Sequence, residues 1–204
     1  MLRKIGRLTN IRQDQAGLEV PPGQFVTEGF PVLSAGPTPR IDLADWRFKV
    51  FGLVQDEIEF DWEQFKALPS VTIDAEFHCV TQWSNLENTW EGVLFTEVMK
   101  LMAPAPEARY VMAHSYGGYT TNISLDVLND DDVLLAYKHD GQDLSPDHGA
   151  PLRLIVPKRY AWKSAKWLNG FEFMAEDRPG FWEIRGYHME GDPWKEERWG
   201  FRMG

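Results

Sequence analysis

From Trp46 onward the chain alternates as a strand does. Trp46, Phe48 and Val50 fall on one face, Arg47, Lys49 and Phe51 on the other, and Gly52 ends the run. Asp61 stands where an N-cap would, and the spacing predicts a short helix over 61–68, stopped by Pro69. Residues 71–80 read as one β-like stretch. Leu94, Val98, Leu101 and Met102 recur at helical spacing before Pro104, which predicts a second helix over 94–102. Residues 110–114, 119–125, 133–139, 152–156 and 170–175 read as strands, with Asp140-Gly141 as a hairpin turn. Residues 1–45 keep neither period and are rich in turn formers, Pro21-Pro22-Gly23 and Gly36-Pro37-Thr38-Pro39 among them. They read as an extended arm, and its Phe25, Phe30, Val32 and Leu33 imply that it lies across the body of the protein. With more strands than helices and no internal repeat, the expected architecture is a single α+β domain over 25–204, preceded by the first part of the arm at 1–24.

Composition narrows the function. At 204 residues the chain has room for one sizeable core. Lys and Arg total 21 against 31 Asp and Glu, a net charge of −10, which is a poor match to a phosphate backbone; nucleic acid is not an expected partner. An anionic ligand would need a local basic pocket. No apolar run approaches the roughly 20 residues of a membrane span, and Met1-Leu2-Arg3-Lys4-Ile5-Gly6-Arg7 lacks the apolar core of a secretory signal. As given, the chain reads as cytoplasmic, with a processed exported form as the alternative. Nine Trp and 13 Pro imply a loop-rich body in which large rings fill irregular space; a glycan-binding surface is the other use of such rings.

The single cysteine, Cys79, excludes an internal disulfide and a CxxC zinc site. It stands in Glu76-Phe77-His78-Cys79-Val80-Thr81-Gln82-Trp83-Ser84, near a strand end from which a loop can present sulfur to a cleft. A thiolate there can attack a substrate or bind a soft metal, while a buried, inert thiol is the plain alternative. Nucleophilic use requires a base, and His78, His114, His139, His148 and His188 have no diagnostic spacing. The second feature is the run from His148 to Trp167. Alternation sends Leu152, Leu154 and Val156 to one face and Arg153 to the other, and Lys158, Arg159, Lys163, Ser164 and Lys166 follow. Cations with a hydroxyl and backbone amides form a phosphate cradle; an ordinary basic loop is the alternative.

Three separated segments, taken in order, resemble the molybdopterin-binding domain of the sulfite oxidase superfamily. They are Cys79-Val80-Thr81-Gln82-Trp83-Ser84, the run from His148 through Pro157 with Lys163-Ser164-Ala165-Lys166-Trp167, and the tail from Gly180 to His188 with its extension from Asp192 to Arg198. The resemblance covers about 25 to the C-terminus. It implies a mixed α+β sulfite oxidase fold holding one molybdenum, chelated by the dithiolene of a pyranopterin phosphate, with one thiolate from the protein. On this resemblance Cys79 matches the metal ligand, and His78, Ser115, His148, Arg153, Ser164, Ala165 and Lys166 match cofactor contacts. The arm at Val32, Leu33 and Ser34 is expected to pass over the cofactor, although the Arg-Asn-His of true sulfite oxidases is absent there. Trp83 and His114 are expected on the substrate face. The Cys-Ala-Gly-Asn-x-Arg segment of sulfite oxidases is replaced, which argues against sulfite as substrate and places the chain nearer the bacterial single-domain branch.

The expected function is therefore molybdenum-dependent oxygen-atom transfer on a small S- or N-oxide or related substrate. Electrons would pass through a separate electron-transfer partner or a small redox carrier. The rival readings are a cysteine-nucleophile hydrolase using Cys79 and a noncatalytic Trp-rich binding module.

Overall fold

The computed structural model describes residues 19–200 together with Arg12, Gln13 and Gly17. The rest of the expected arm at 1–24 lies outside the described residues. In chain order the strands and helices begin with β1 (Arg12–Gln13), β2 (Glu19–Val20), β3 (Phe25–Val26), β4 (Phe48–Gly52), β5 (Ile58–Phe60), α1 (Trp62–Lys66), β6 (Val71–Asp74), β7 (Phe77–His78) and β8 (Trp83–Asn85). They continue with β9 (Thr89–Leu94), α2 (Phe95–Met99), β10 (Tyr110–Ser115), β11 (Thr120–Ser124), α3 (Leu125–Leu128), β12 (Leu134–His139), β13 (Gln142–Asp143), β14 (Arg153–Ile155) and β15 (Leu168–Met174). Short 3₁₀ turns stand at Pro146–His148, Ala161–Lys163, Glu183–Arg185 and Pro193–Lys195. This is a strand-rich α+β fold with a few short helices.

Two five-element sheet systems carry the body. One runs β11-β10-β15-β4-β5; the other runs β13-β12-β9-β6, with β14 also pairing β12. Alternation along these strands decides which side chain goes where. On β12, Leu135 and Tyr137 enter the large core with Val93, Phe95, Phe171 and Phe173, while Leu134 and Ala136 face a second, smaller cluster. On β14, Leu154 joins the large core and Ile155 the small one, which also holds Phe77, Cys79, Trp83 and Trp90. The sheet is thus apolar on both faces, and the cysteine sits against the smaller one.

Local chemistry explains most elements. The Asp61 carboxylate accepts from the Gln64 amide at 2.8 Å and the Gln64 side chain accepts from the Asp61 amide at 3.0 Å, a reciprocal cap that starts α1. The Asp140-Gly141 turn has φ 49° and 73°, the left-handed pair that a tight hairpin between β12 and β13 needs. Three expectations shift. The 71–80 stretch breaks at Ala75-Glu76 into β6 and β7. The helix expected over 94–102 shrinks to α2, because Leu94 pairs with Leu134 as the last residue of β9. Leu125, expected in a strand, instead opens α3. The strands at Ile58–Phe60, Trp83–Asn85 and Thr89–Leu94 were not expected: Ile58 and Phe60 alternate with Glu59 but over only three residues, and the other two show no clear two-residue period.

Gly92 fixes the contact between β9 and β12 at a register shift. A Cβ there would lie 2.1 Å from the Leu135 carbonyl oxygen and 2.7 Å from the Ala136 Cα, backbone that cannot step aside. Gly92→Ala is therefore expected to cost about 2 kcal/mol or more, read as a lower urea midpoint with an unchanged slope; an unchanged midpoint would show that the strands separate freely.

Candidate active site

Beside the smaller cluster lies a cavity of about 530 Å³. Its walls come from the arm at Phe30 to Pro39, the Cys79 loop, the turn after β10, the segment from His148 to Trp167, and the tail at Phe181, Trp182 and Tyr187.

The Cys79 loop closes the β7–β8 hairpin. The Cys79 amide donates to the Trp83 carbonyl at 2.8 Å, and the Gln82 amide donates back to the Cys79 carbonyl at 3.0 Å, with Gln82 at φ 79°. Two distant side chains pin the same loop. Gln24 Nε2 donates to the Cys79 carbonyl at 3.0 Å, and Arg198 donates to the carbonyls of Val80 and Pro22 while its guanidinium stacks on Tyr160. The Thr81 hydroxyl lies 3.1 Å from Cys79 Sγ and donates to it. Tyr187 lines the same cavity as Cys79, and its hydroxyl is held above its ordinary pKa, first by burial and then by charge on Cys79.

At Arg153 the structure removes a cation from water without giving it an anion. The residue is 3% exposed, and its guanidinium stands 5.1 to 5.5 Å from the rings of Phe30, Phe77 and Trp90. It donates to the carbonyls of His148 at 2.9 Å and Ser164 at 3.4 Å, and Nε has no partner. Burial alone brings its pKa down to about 9. Lys166 Nζ donates to the Asp147 carbonyl at 2.8 Å and to the Ser34 hydroxyl. Burial, then repulsion from Arg153, brings the Lys166 pKa down to about 8. Gly149, at φ 111°, lies where a Cβ would come within 3.1 Å of both stems, so a side chain there would push the two cations apart.

The other members of the expected cradle are neutralised elsewhere. Lys158 pairs with Asp130 at 2.8 Å and Asp132 at 3.4 Å, and Arg159 with Glu190 at 3.3 Å. Lys163 is buried against Glu183 at 2.6 Å and donates to Asn122 as well. Among the described residues no salt bridge involves Arg153 or Lys166, so the expected cradle of cations contracts to these two.

The remaining sequence-predicted residues divide. Leu33, Ser34, Trp83, His148, Ser164 and Ala165 line the cavity with Cys79, Arg153 and Lys166. His148 stacks on Phe30 at 4.7 Å, donates from Nε2 to the Phe30 carbonyl at 3.0 Å and accepts at Nδ1 from Ser145. The Ser164 hydroxyl accepts from the Val156 amide at 3.0 Å, which fixes the turn between β14 and β15. His114, Ser115, His78 and Val32 do not line it. His114 is corrected as a substrate-face residue: Val111 and Ala113 take the core face of β10, so His114 faces the other way, with Nε2 3.1 Å from Glu172 and its ring beside Phe51. Ser115 has the parity of Val111 and Ala113 and turns inward, buried with no hydroxyl partner. His78 alternates away from Phe77 and is held between Ser84 at 2.8 Å and Glu76 at 3.2 Å. Val32 is exposed, although its neighbours on the arm line the cavity.

An aromatic wall was not assigned from sequence. Tyr119 and Phe181 stand 5.6 Å apart between ring centres, Phe181 and Trp182 5.2 Å, Trp182 and Tyr187 4.9 Å, and Tyr187 and Trp162 5.0 Å. The density of rings in the tail was the visible signal; what was hidden is that they converge on one side of the cavity. Glu183 secures that wall: its Oε1 accepts from Trp162 Nε1, Thr121 Oγ1 and Lys163 Nζ at 2.6 to 3.0 Å.

This arrangement can hold a soft metal by its thiolate and an anionic group by two unneutralised cations. Residues 35–182 match the family described as an oxidoreductase molybdopterin binding domain. The chain is 46% identical over 188 residues to the uncharacterized oxidoreductase YuiH of Bacillus subtilis (strain 168), covering 92% of this chain and 94% of that protein. It is 31% identical over 153 residues to the putative protein-methionine-sulfoxide reductase subunit YedZ1 of Azospira oryzae, covering 74% of this chain and 58% of that one. The sulfite oxidase of Arabidopsis thaliana is 28% identical, over 76% of this chain and 48% of its own length. The sulfane dehydrogenase SoxCD of Paracoccus pantotrophus shares the fold, with a TM-score of 0.63 at 21% identity over 68% of this chain and 40% of its own.

Two outcomes follow from these charges. Glu183→Ala strands a buried ammonium and is expected to cost about 3 to 5 kcal/mol, whereas Lys163→Met with Glu183→Leu is expected to recover most of it; chemical denaturation of both variants checks this. Sulfate, a fully ionised stand-in for a phosphate group, is expected to raise the melting temperature at pH 7. Because the Lys166 pKa is depressed to about 8, its charge is present below that pH and lost as pH rises through it, so the sulfate effect should fade above about 8. A shift that persists unchanged at pH 10 would contradict this.

Proposed function

The chain belongs to the oxidoreductase molybdopterin binding domain family, and on that premise we propose that it moves an oxygen atom to or from a small S- or N-oxide, or a related substrate, in the cavity beside Cys79. The family binds molybdopterin, and the residues present fit it. The observation that carries the reading is the pair Arg153, buried, and Lys166, half-buried, cations that line the cavity and form no salt bridge among the described residues. A phosphate on the cofactor would supply the missing charge. Ser34 and the backbone of Ser164 and Ala165 stand with them, and Cys79 would ligate the molybdenum. The bound cofactor supplies the two-electron chemistry of oxygen transfer.

The chain's own residues set the conditions. The Gln24, Arg198 and Trp83 contacts fix the Cys79 backbone, so its sulfur is presented without reorganisation. The Thr81 hydroxyl donates to that sulfur and helps fix its orientation. With a raised pKa, the Tyr187 phenol stays protonated through neutral pH and can donate to an oxide oxygen. Trp83 forms part of the wall while packing against Phe77, so it shapes the site more than it reacts. Electrons pass to or from a separate partner or small redox carrier. Among the described residues no helix is long and apolar enough to cross a membrane.

Neither rival gains from the geometry. Among the described residues the hydrogen-bond partner of Cys79 Sγ is Thr81 and no histidine, so the sulfur has no base. Trp194 and Trp199 are exposed but do not line the cavity, and the rings that do line it share it with Cys79, Arg153 and Lys166, which a plain binding module does not require.

Protein made in a host that assembles the cofactor is expected to carry about one molybdenum per chain by elemental analysis. Arg153→Met with Lys166→Met is expected to reduce retention at least about tenfold through dialysis, and Cys79→Ala to abolish the sulfur signature of the protein ligand. Full retention in the double variant would sink the assignment of the two cations.

A further inference from the structure

The charges and the aromatic wall together narrow what enters the cavity. Its lining holds Arg153 and Lys166, and on the proposed reading the cofactor's phosphate takes both. Every other basic group nearby is already engaged. Lys163 pairs with Glu183, Arg159 with Glu190, and Arg178 with Glu172. Arg198 is spent on two carbonyls and Tyr160. Arg185 donates to the Phe181 carbonyl, lies 3.7 Å over the Phe181 ring and is absent from the lining. His148 has both ring nitrogens bonded. An inorganic oxyanion would therefore shed its water without finding a counter-charge, in a protein whose net charge of −10 already repels it.

What the cavity does offer is flat apolar surface. Tyr119, Phe181, Trp182, Tyr187 and Trp162 form a continuous chain of rings, each within 5.6 Å of the next, and all five line the same cavity as Cys79. Phe181, Trp182 and Tyr187 are only half-buried and line the cavity; Arg185 covers one face of Phe181 and Trp182 stacks on Tyr187, so the surface they offer is what those contacts leave open. Such a surface selects by area and ring stacking, not by charge.

We infer that the substrate is an uncharged oxide carrying an aromatic or similarly flat apolar group beside its S–O or N–O bond, and not an inorganic oxyanion such as sulfite or nitrate. The inference rests on the oxygen-transfer reading and specifies its substrate class. In the reducing direction the S–O bond breaks and sulfur gains two electrons. Two equivalents of a reduced one-electron carrier supply them, and the oxygen leaves as water with two protons from solvent.

The test uses the cofactor-loaded protein with methyl phenyl sulfoxide, dimethyl sulfoxide, nitrate and sulfite as probes. Binding is followed by quenching of tryptophan fluorescence, and turnover by oxidation of reduced methyl viologen. Methyl phenyl sulfoxide is expected to bind at least about tenfold more tightly than dimethyl sulfoxide, and neither anion should displace it. Trp182→Ala should shrink that advantage to about threefold or less, while Trp182→Phe, which keeps a ring, should retain most of it. Displacement by nitrate or sulfite, or an undiminished advantage in Trp182→Ala, would overturn the inference. Turnover of dimethyl sulfoxide with no aromatic preference would overturn it while leaving oxygen transfer standing. Molybdenum-loaded protein that turns over no oxide would overturn oxygen transfer and this inference with it.

Discussion

Arg153 is a cation taken out of water, and Lys166 one taken partly out, with no salt bridge to either among the described residues, in a protein that carries ten more negative charges than positive ones. A buried, uncompensated charge costs several kcal/mol. Carboxylates are plentiful, and Lys158, Arg159 and Lys163 of the same segment each have one. The omission is therefore local to the cavity. Carbonyl oxygens of His148, Ser164 and Asp147 hold the two cations in place without cancelling them. A site built this way is incomplete until an anion arrives, and in a chain of a family described as binding molybdopterin the proposed anion is the cofactor's phosphate.

Strand parity brings the second half of the site to the same place. Because β14 is apolar on both faces, Leu154 can seal the large core while Arg153 and Ile155 turn to the small cluster that holds Cys79. The tail then closes the assembly at two points. Arg198 ties the Cys79 loop to the arm at Pro22, and Glu183 ties the aromatic wall to the β14–β15 segment through Trp162 and Lys163. Thiol, cations and rings are thus positioned by backbone contacts and one buried ion pair, with little left to side-chain rearrangement.

Much of this was legible in the chain. Period-two alternation exposed β4, β12 and β14, the Asp-Gly pair marked the hairpin, and three ordered motifs carried the family. What escaped notice depends on contacts that sequence spacing does not encode. Lys158, Arg159 and Lys163 looked equivalent to Lys166 because the carboxylates that neutralise them lie about twenty or more residues away along the chain, at Asp130, Glu190 and Glu183. His114 was assigned to the cavity by adjacency to Ser115, yet neighbours on a strand alternate, and Ser115 shares the face of Val111 and Ala113 while His114 takes the other. The tail aromatics could each have been ordinary core, and only their convergence in space makes them a wall. The hidden strand β9 carries Gly92 where an apolar residue would have revealed its period.

The structure of the cofactor-loaded protein at near-atomic resolution tests the central claim most directly. The cofactor's phosphate should lie within hydrogen-bond distance of both the Arg153 guanidinium and the Lys166 ammonium, with the Cys79 sulfur bound to molybdenum. A phosphate seated elsewhere, with those two side chains turned to solvent, would contradict it.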